Sequence, residues 1–295
     1  MPRLLVLFVY HIYNKRVKHF IDKCIFEDPE IDFVVISNNG TPTPGLQSYV
    51  KQVVRPNIGY DFGGWSDALL TDNLYEAYDN FIFVNSSVIG PFIRPGSEIV
   101  KWTDVYLNGL AGNIKLFGST INSCGDPFNK SHVQSYIFAV NKETLQYLID
   151  CEIFSNTKYT RTLPETVWEK EVAMSRRVLE RGWNIGSLMS QYQGVDFTFK
   201  TKPISAYRGN IWVNEIMQTQ YRNVEWNEYQ LVFVKGNRLG IDSTEDLLEQ
   251  DKRPSSQINR AMSVLSVKND VMKVPMFHGM RVQSKNPIKM RIASR

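Results

Sequence analysis

The stretch Asn57-Ile58-Gly59-Tyr60-Asp61-Phe62-Gly63-Gly64 sets one carboxylate inside a glycine-rich turn. Glycines permit close backbone approach to a ligand, and Asp61 could accept a hydrogen bond from a ribose hydroxyl or a base N–H. The same spacing also suits a helix-entry turn that Asp61 merely caps. No Gly-Lys-Ser follows, and the Gly-x-Gly-x-x-Gly order is missing, so neither a Walker loop nor a dinucleotide fingerprint is present. Three further polar clusters each follow an apolar run: Val9-Tyr10-His11, Ser37-Asn38-Asn39 and Asn85-Ser86-Ser87. Arg55, just before the glycine turn, offers positive charge for a phosphate.

A second carboxylate is marked by helical periodicity. Pro164 suits a first turn and Gly182 a C-terminal stop. Counting 100° per residue from Glu171 puts Val167, Met174 and Val178 on one side and Trp168, Val172, Ser175 and Leu179 on the other, with Glu171 in the middle of the apolar stripe. Burial there would raise its pKa toward the range of a general base, unless Glu171 is instead half of a structural ion pair. His132 and Gln134 alternate with Val133 and Ser135 at a strand entry, so both can face one side, where an imidazole serves either to bind a phosphate or to move a proton. Asp196 is a second candidate base, while Trp65, Tyr207 and Trp212 are candidates for stacking on a ligand ring.

These groups must be positioned by strands and helices. Leu4 to Tyr10 reads as a strand apolar on both faces, as at the centre of a parallel sheet. Val17, Phe20, Ile21 and Cys24 recur at helical spacing, and Phe33 to Ile36 is the next strand, which gives a β-α-β start with parallel strands. A helix follows the glycine turn, with Trp65, Ala68, Leu69 and Asp72 on one face. The pattern predicts further strands at 79–84, 115–119, 135–140 and 229–235, and a helix from Lys142 to about Cys151 behind an Asn141 cap. Such a sheet binds ligands outside the carboxyl ends of its strands, where the polar clusters fall.

The chain of 295 residues is 43% hydrophobic, enough to bury a sizeable core, and a net charge of +4 is too mild to argue for nucleic acid. The charge is uneven. From Asp251 to Arg295 there are ten Lys or Arg against Asp251 and Asp270, a local +8 that leaves −4 for the first 250 residues. This basic tail can meet an anionic membrane surface or partner, or remain solvated. Cys24, Cys124 and Cys151 sit among apolar neighbours as core fillers and point to a reducing compartment. The early apolar run is too short for a membrane span or a signal peptide, so the expected location is cytoplasmic.

Arg55 to Trp65, followed by Tyr78-Asp79-Asn80-Phe81-Ile82-Phe83-Val84-Asn85-Ser86-Ser87-Val88-Ile89-Gly90-Pro91-Phe92, resembles the rhamnan-synthesis F type of glycosyltransferase. The resemblance continues through Gly118-Ser119-Thr120, His132 to Ser135, Glu171 to Ser175 and Phe233-Val234-Lys235-Gly236-Asn237-Arg238. The Asn-Ser-Ser and His-Val-Gln-Ser forms are similar to relatives in algae and their large DNA viruses. The resemblance implies a GT-A fold over residues 1–240, with a donor-nucleotide half at 1–120 and an acceptor half at 121–240, and leaves 241–295 as a basic extension. It implies a nucleotide-sugar donor lying across Val9, Tyr10, Ser37, Asn38, Arg55, Asn57, Asp61, Asn85, Ser86 and His132, a glycan acceptor, and Glu171 as base. Many GT-A enzymes carry Asp-x-Asp where this chain has Asn85-Ser86-Ser87, so a role for Mg²⁺ or Mn²⁺ is in doubt. A scaffold that binds nucleotide or glycan without turnover is the alternative. A sugar nucleotidyltransferase shares the β-α-β start but needs a basic glycine-rich loop near residue 12 that is absent.

Overall fold

The first strand, β1 (Leu4–Tyr10), is buried along its whole length, and its odd and even side chains feed two separate cores. The structure, a computed structural model, describes residues 3–94, 96–97, 101–123, 130–203 and 228–239. All of these lie in a unit of residues 1–249; the basic tail, Tyr207, Trp212, Cys124 and the helix start expected at Ser243 lie outside the described residues.

Helix α1 (Lys15–Cys24) starts at Asn14, whose side chain accepts from the Val17 N–H at 3.1 Å, and it buries the expected Val17, Phe20, Ile21 and Cys24. Then come β2 (Ile31–Ser37), an exposed edge strand β3 (Lys51–Val54), α2 (Tyr60–Leu70), β4 (Asn80–Asn85), the short β5 (Val88–Ile89), α3 (Trp102–Asn108) and β6 (Ile114–Gly118). A two-residue pair, β7 (Ile121–Asn122) and β8 (His132–Val133), leads into β9 (Ile137–Asn141) and α4 (Lys142–Asp150), capped by Asn141. The remaining elements are α5 (Leu163–Thr166), a π-helical segment (Val167–Val172), α6 (Ala173–Glu180), β10 (Asn184–Ser187), α7 (Glu228–Leu231), β11 (Val234–Lys235) and α8 (Gly236–Leu239).

Seven strands form one sheet in the order β10-β6-β9-β4-β1-β2-β3, all parallel except β9. This is the mostly parallel α/β sheet that the sequence predicts. One face packs on α2, α4 and α6 through Trp65, Leu145, Leu148, Met174 and Val178, and the other on α1 and α3 through Phe20, Trp102 and Tyr106. Each such side chain fully removed from water contributes about 1.5 to 3 kcal/mol of transfer free energy.

Three expectations fail. The run 229–235 is not one strand: Glu228–Leu231 is a helical turn, and only Val234–Lys235 extends, pairing antiparallel with β5. The 100° count along 164–181 also fails locally, because Val167–Val172 is π-helical and its wider turn rotates the faces. Trp168, expected inward, is 54% exposed, whereas Lys170 is buried and donates from Nζ to the Glu152 carbonyl at 2.6 Å. Similarly, α2 ends at Leu70, and Asp72 adopts φ 53 beyond it rather than sharing the helix face.

Candidate functional site

Because β9 alone runs antiparallel, it begins where β1, β4 and β6 end. The Asn85 N–H donates to the Tyr136 carbonyl at 3.0 Å, so the residue that closes β4 lies beside the residues that open β9. Two carboxylates meet there from opposite elements, Asp61 in the first turn of α2 and Glu171 in the π-helical segment.

Asp61 does not cap its helix. The N-cap is Gly59, at φ +74, and no side chain bonds the first turn. Instead Asp61 Oδ2 accepts from Asn85 Nδ2 at 3.0 Å, while Asn85 Oδ1 accepts from the Ser87 N–H at 3.0 Å and from the Ser87 hydroxyl. Burial raises the Asp61 pKa to about 6, against the Asn85 bond and the positive charges of Lys235 and His11, with Glu171 adding repulsion.

Glu171 behaves oppositely. Its burial would raise the pKa, as the sequence predicts, but bonds and charges overturn this and lower it to about 2. Oε2 accepts from the Ser135 N–H at 2.8 Å and from the Ser135 hydroxyl, and Oε1 lies 3.5 Å from His132 Nε2. His132, Lys235 and Ser135 all favour the ionised form. His132 is buried, with Nδ1 2.6 Å from the Lys130 carbonyl and Nε2 3.3 Å from Asn122 Nδ2, so it serves Glu171 from within the protein. Gln134 bonds Thr120 at 2.8 Å; Ser135, not Gln134, shares the carboxylate.

The other predicted residues divide clearly. Val9 and Trp65 are wholly buried, and Trp65 packs edge-on against Phe62, Phe83 and Phe138, which removes it as a sugar platform. Tyr10 is turned to Thr43 at 2.8 Å, and the Ser37 hydroxyl donates to Asn39 and the Thr41 carbonyl, each at 2.7 Å. Arg55 is buried and occupied: Nε bonds Asp67 at 2.7 Å, while its two terminal nitrogens bond Asn38 Oδ1 at 2.9 Å and the Ile58 carbonyl at 2.8 Å. Its charge thus holds the turn in shape. Asn38 Nδ2 donates to the Tyr60 carbonyl at 3.0 Å and lies 3.5 Å from the exposed Asn57. Ser86 is half-buried, and its carbonyl accepts from Arg16 Nε at 3.2 Å.

The glycines are needed for packing rather than for open approach to a ligand. A Cβ on Gly64 would stand 2.8 Å from Val9 and 2.9 Å from Asn38 Oδ1, which shows how closely α2 seats on the strand ends. Asp196 accepts from Thr198 and Thr201 in its own turn. A cavity of about 480 Å³, bordered by Lys130, Trp168 and Arg176 among others, does not include the strand-end residues.

The residue that sequence reasoning missed is Lys235, whose charge acts on both Asp61 and Glu171. The signal was present as a single lysine ending the apolar run Leu231 to Val234, where a buried strand meets a polar edge. Its distance from the other clusters in sequence concealed it.

A mostly parallel α/β sheet with polar groups gathered at its carboxyl edge defines the class of open α/β scaffold whose ligands bind outside the carboxyl ends of the strands. Residues 33–220 match the model of the family described as rhamnan synthesis protein F. The chain belongs to that family. It is also similar to the virulence protein VirA of Vibrio anguillarum, strain ATCC 68554 / 775, with 31% identity over 112 residues, which are 37% of this chain and 30% of that protein. The chain therefore matches less than a third of that relative's length. A cytidylyltransferase from Leptospira borgpetersenii serovar Hardjo-bovis (strain JB197) aligns with a TM-score of 0.35 and 12% identity, over 63% of this chain and 76% of that one. No helix among the described residues is long and apolar enough to cross a membrane.

Proposed function

We propose that the protein is a glycosyltransferase that moves a sugar from a nucleoside diphosphate to a hydroxyl of a glycan acceptor, with inversion at the anomeric carbon. The observation that carries this reading is the meeting of Asp61, Asn85, Glu171 and Lys235 at the carboxyl edge of a sheet in a chain of the rhamnan-synthesis family. The nucleotide lies along the ends of β1, β2 and α2, where Asn57 is exposed and Asp61 presents a carboxyl edge for a ribose or sugar hydroxyl. The donor is a dTDP- or UDP-activated rhamnose or another UDP-sugar such as UDP-xylose.

Glu171 is the acceptor-side base. A carboxylate held near pKa 2 is a weak base toward a resting alcohol, but the attacking hydroxyl becomes strongly acidic as its oxygen bonds to an oxocarbenium-like carbon. Glu171 then receives the proton late, and Ser135 and His132 hold it ionised and in position until that moment. The bond from the anomeric carbon to the diphosphate oxygen breaks as the new one forms, and nucleoside diphosphate leaves. The site does not suit a divalent ion held as in Asp-x-Asp enzymes: Asn85, Ser86 and Ser87 offer neutral oxygens, and Asp61 is engaged by an amide. No group of three or more His, Cys, Asp or Glu is placed to hold a metal among the described residues.

A panel of nucleotide-sugars tested for thermal stabilisation identifies the donor, and proton NMR of the product reads its anomeric configuration. Stabilisation by one or two donors with an inverted product is expected. Stabilisation by no nucleotide-sugar would refute the reading.

A further inference from the structure

We propose that Lys235 is the cation that binds the donor's diphosphate, in the place where related scaffolds use a metal ion. This rests on the glycosyltransferase reading above and assigns its donor site a specific charge.

Several placements lead to Lys235. Strand β11 pairs antiparallel with β5, setting Lys235 opposite Val88, and the Gly236 N–H donates to the Ser87 carbonyl at 2.8 Å. The lysine is thereby fastened directly onto the Asn85-Ser86-Ser87 stretch that lacks carboxylates. Its ammonium lies 5.8 Å from the centre of the Tyr136 ring, and Tyr136 is the residue whose carbonyl holds the Asn85 N–H. Half-buried, it lies within electrostatic reach of both Asp61 and Glu171. The segment that carries it is firmly seated: Val232 and Phe233 are buried, and the Leu231 carbonyl accepts from Ser119 Oγ at 2.9 Å.

The chemistry demands a cation here. A diphosphate brought beside two carboxylates is repelled unless positive charge stands among them, and the leaving group gains negative charge as the glycosidic bond breaks. An ammonium can hydrogen-bond phosphate oxygens with three donors and needs no coordination sphere. Arg16, whose Nε donates to the Ser86 carbonyl at 3.2 Å from the first turn of α1, brings a second cation to the Asn85-Ser86-Ser87 stretch. Asn-Ser-Ser in place of Asp-x-Asp then has a reason, because carboxylates at those positions would compete with the phosphate for the lysine.

Calorimetric titration with UDP, dTDP, uridine and thymidine in EDTA tests this on the full chain. The wild type should bind one diphosphate at least about 10-fold more tightly than its nucleoside. Lys235→Met, which keeps the stem but removes the charge, should lose about 10- to 100-fold in diphosphate affinity and leave the nucleoside unchanged, and Lys235→Arg should recover most of the loss. Equal diphosphate affinity in wild type and a folded Lys235→Met would overturn the assignment while leaving the donor reading intact. Parallel loss of diphosphate and nucleoside affinity would also overturn it, showing that Lys235 only neutralises the carboxylates. Should Lys235→Met fail to fold, Lys235→Gln takes its place under the same criteria. A wild type that binds none of the four ligands would remove the donor reading and this proposal together.

Discussion

Asp61, half-buried, and Glu171, buried, stand at the same strand ends and both feel Lys235, yet desolvation wins at Asp61 and loses at Glu171. The difference lies in the number and kind of donors. Asp61 has a single amide bond, from Asn85, and its pKa rises from 3.8 to about 6. Glu171 has a backbone N–H and a hydroxyl from Ser135, with His132 beside its other oxygen, and its pKa falls from 4.5 to about 2. A carboxylate with most of its hydrogen-bonding capacity unspent is open to a ligand, whereas one with several donors on it is held ionised and in position until a proton reaches its remaining lone pair.

The largest expected effect follows from that division. Glu171→Gln cannot take the acceptor's proton, so transfer should fall by about 10²- to 10⁴-fold while donor affinity changes little, which steady-state kinetics beside nucleotide calorimetry will show. Normal transfer by a folded Glu171→Gln would move the base to another group. Removing the donor-side carboxyl acts on binding instead. Asp61→Ala should weaken the nucleoside diphosphate by about 1 to 3 kcal/mol, and unchanged affinity would take Asp61 out of the site.

The two carboxylates should also shift stability in opposite directions with pH, measured by denaturant unfolding at pH 4 and pH 8. A raised pKa means the folded protein favours protonated Asp61, so the ionised group costs stability increasingly between pH 3.8 and about 6 and fully above it. Asp61→Asn should therefore be more stable than wild type at pH 8 and nearly equal to it at pH 4. Glu171 has a lowered pKa, so its contribution is present above 4.5 and disappears as pH falls toward about 2. Glu171→Gln should accordingly be less stable at pH 8, by about 1 to 3 kcal/mol for a disturbed buried bond network. The same sign of change in both variants would erase the contrast.

The smallest effect concerns ions. With neutral Asn85, Ser86 and Ser87 at the strand end, chelation by EDTA should leave much of the activity in place. Complete loss restored by Mn²⁺ would show that another carboxylate carries a metal.

Much of this was legible in the sequence where local pattern and local structure agree. Leu4–Tyr10, the α1 stripe and the Asn141 cap follow from periodicity and capping chemistry within a few residues. Glu171 was found by periodicity too, although the π-helical turn means that its neighbours Trp168 and Lys170 lie on faces that a 100° count assigns wrongly. What the sequence concealed was long-range. Arg55 looked like a phosphate ligand until Asp67, Asn38 and the Ile58 carbonyl were seen to occupy it. The low proton affinity of Glu171 depends first on His132 and then on Lys235 and Ser135, all of them at least 36 residues away. Lys235 reaches the site only because a short strand returns to Val88. Such pairings depend on topology, and no window of sequence contains them.

The contrast at the centre of this account can be read directly by NMR titration of the side-chain carboxyl carbons, assigned with Asp61→Asn and Glu171→Gln. Asp61 should titrate near pH 6 and Glu171 should show no protonation down to about pH 3. A Glu171 resonance that titrates near 6, with Asp61 ionised throughout, would reverse the assigned roles and contradict the account.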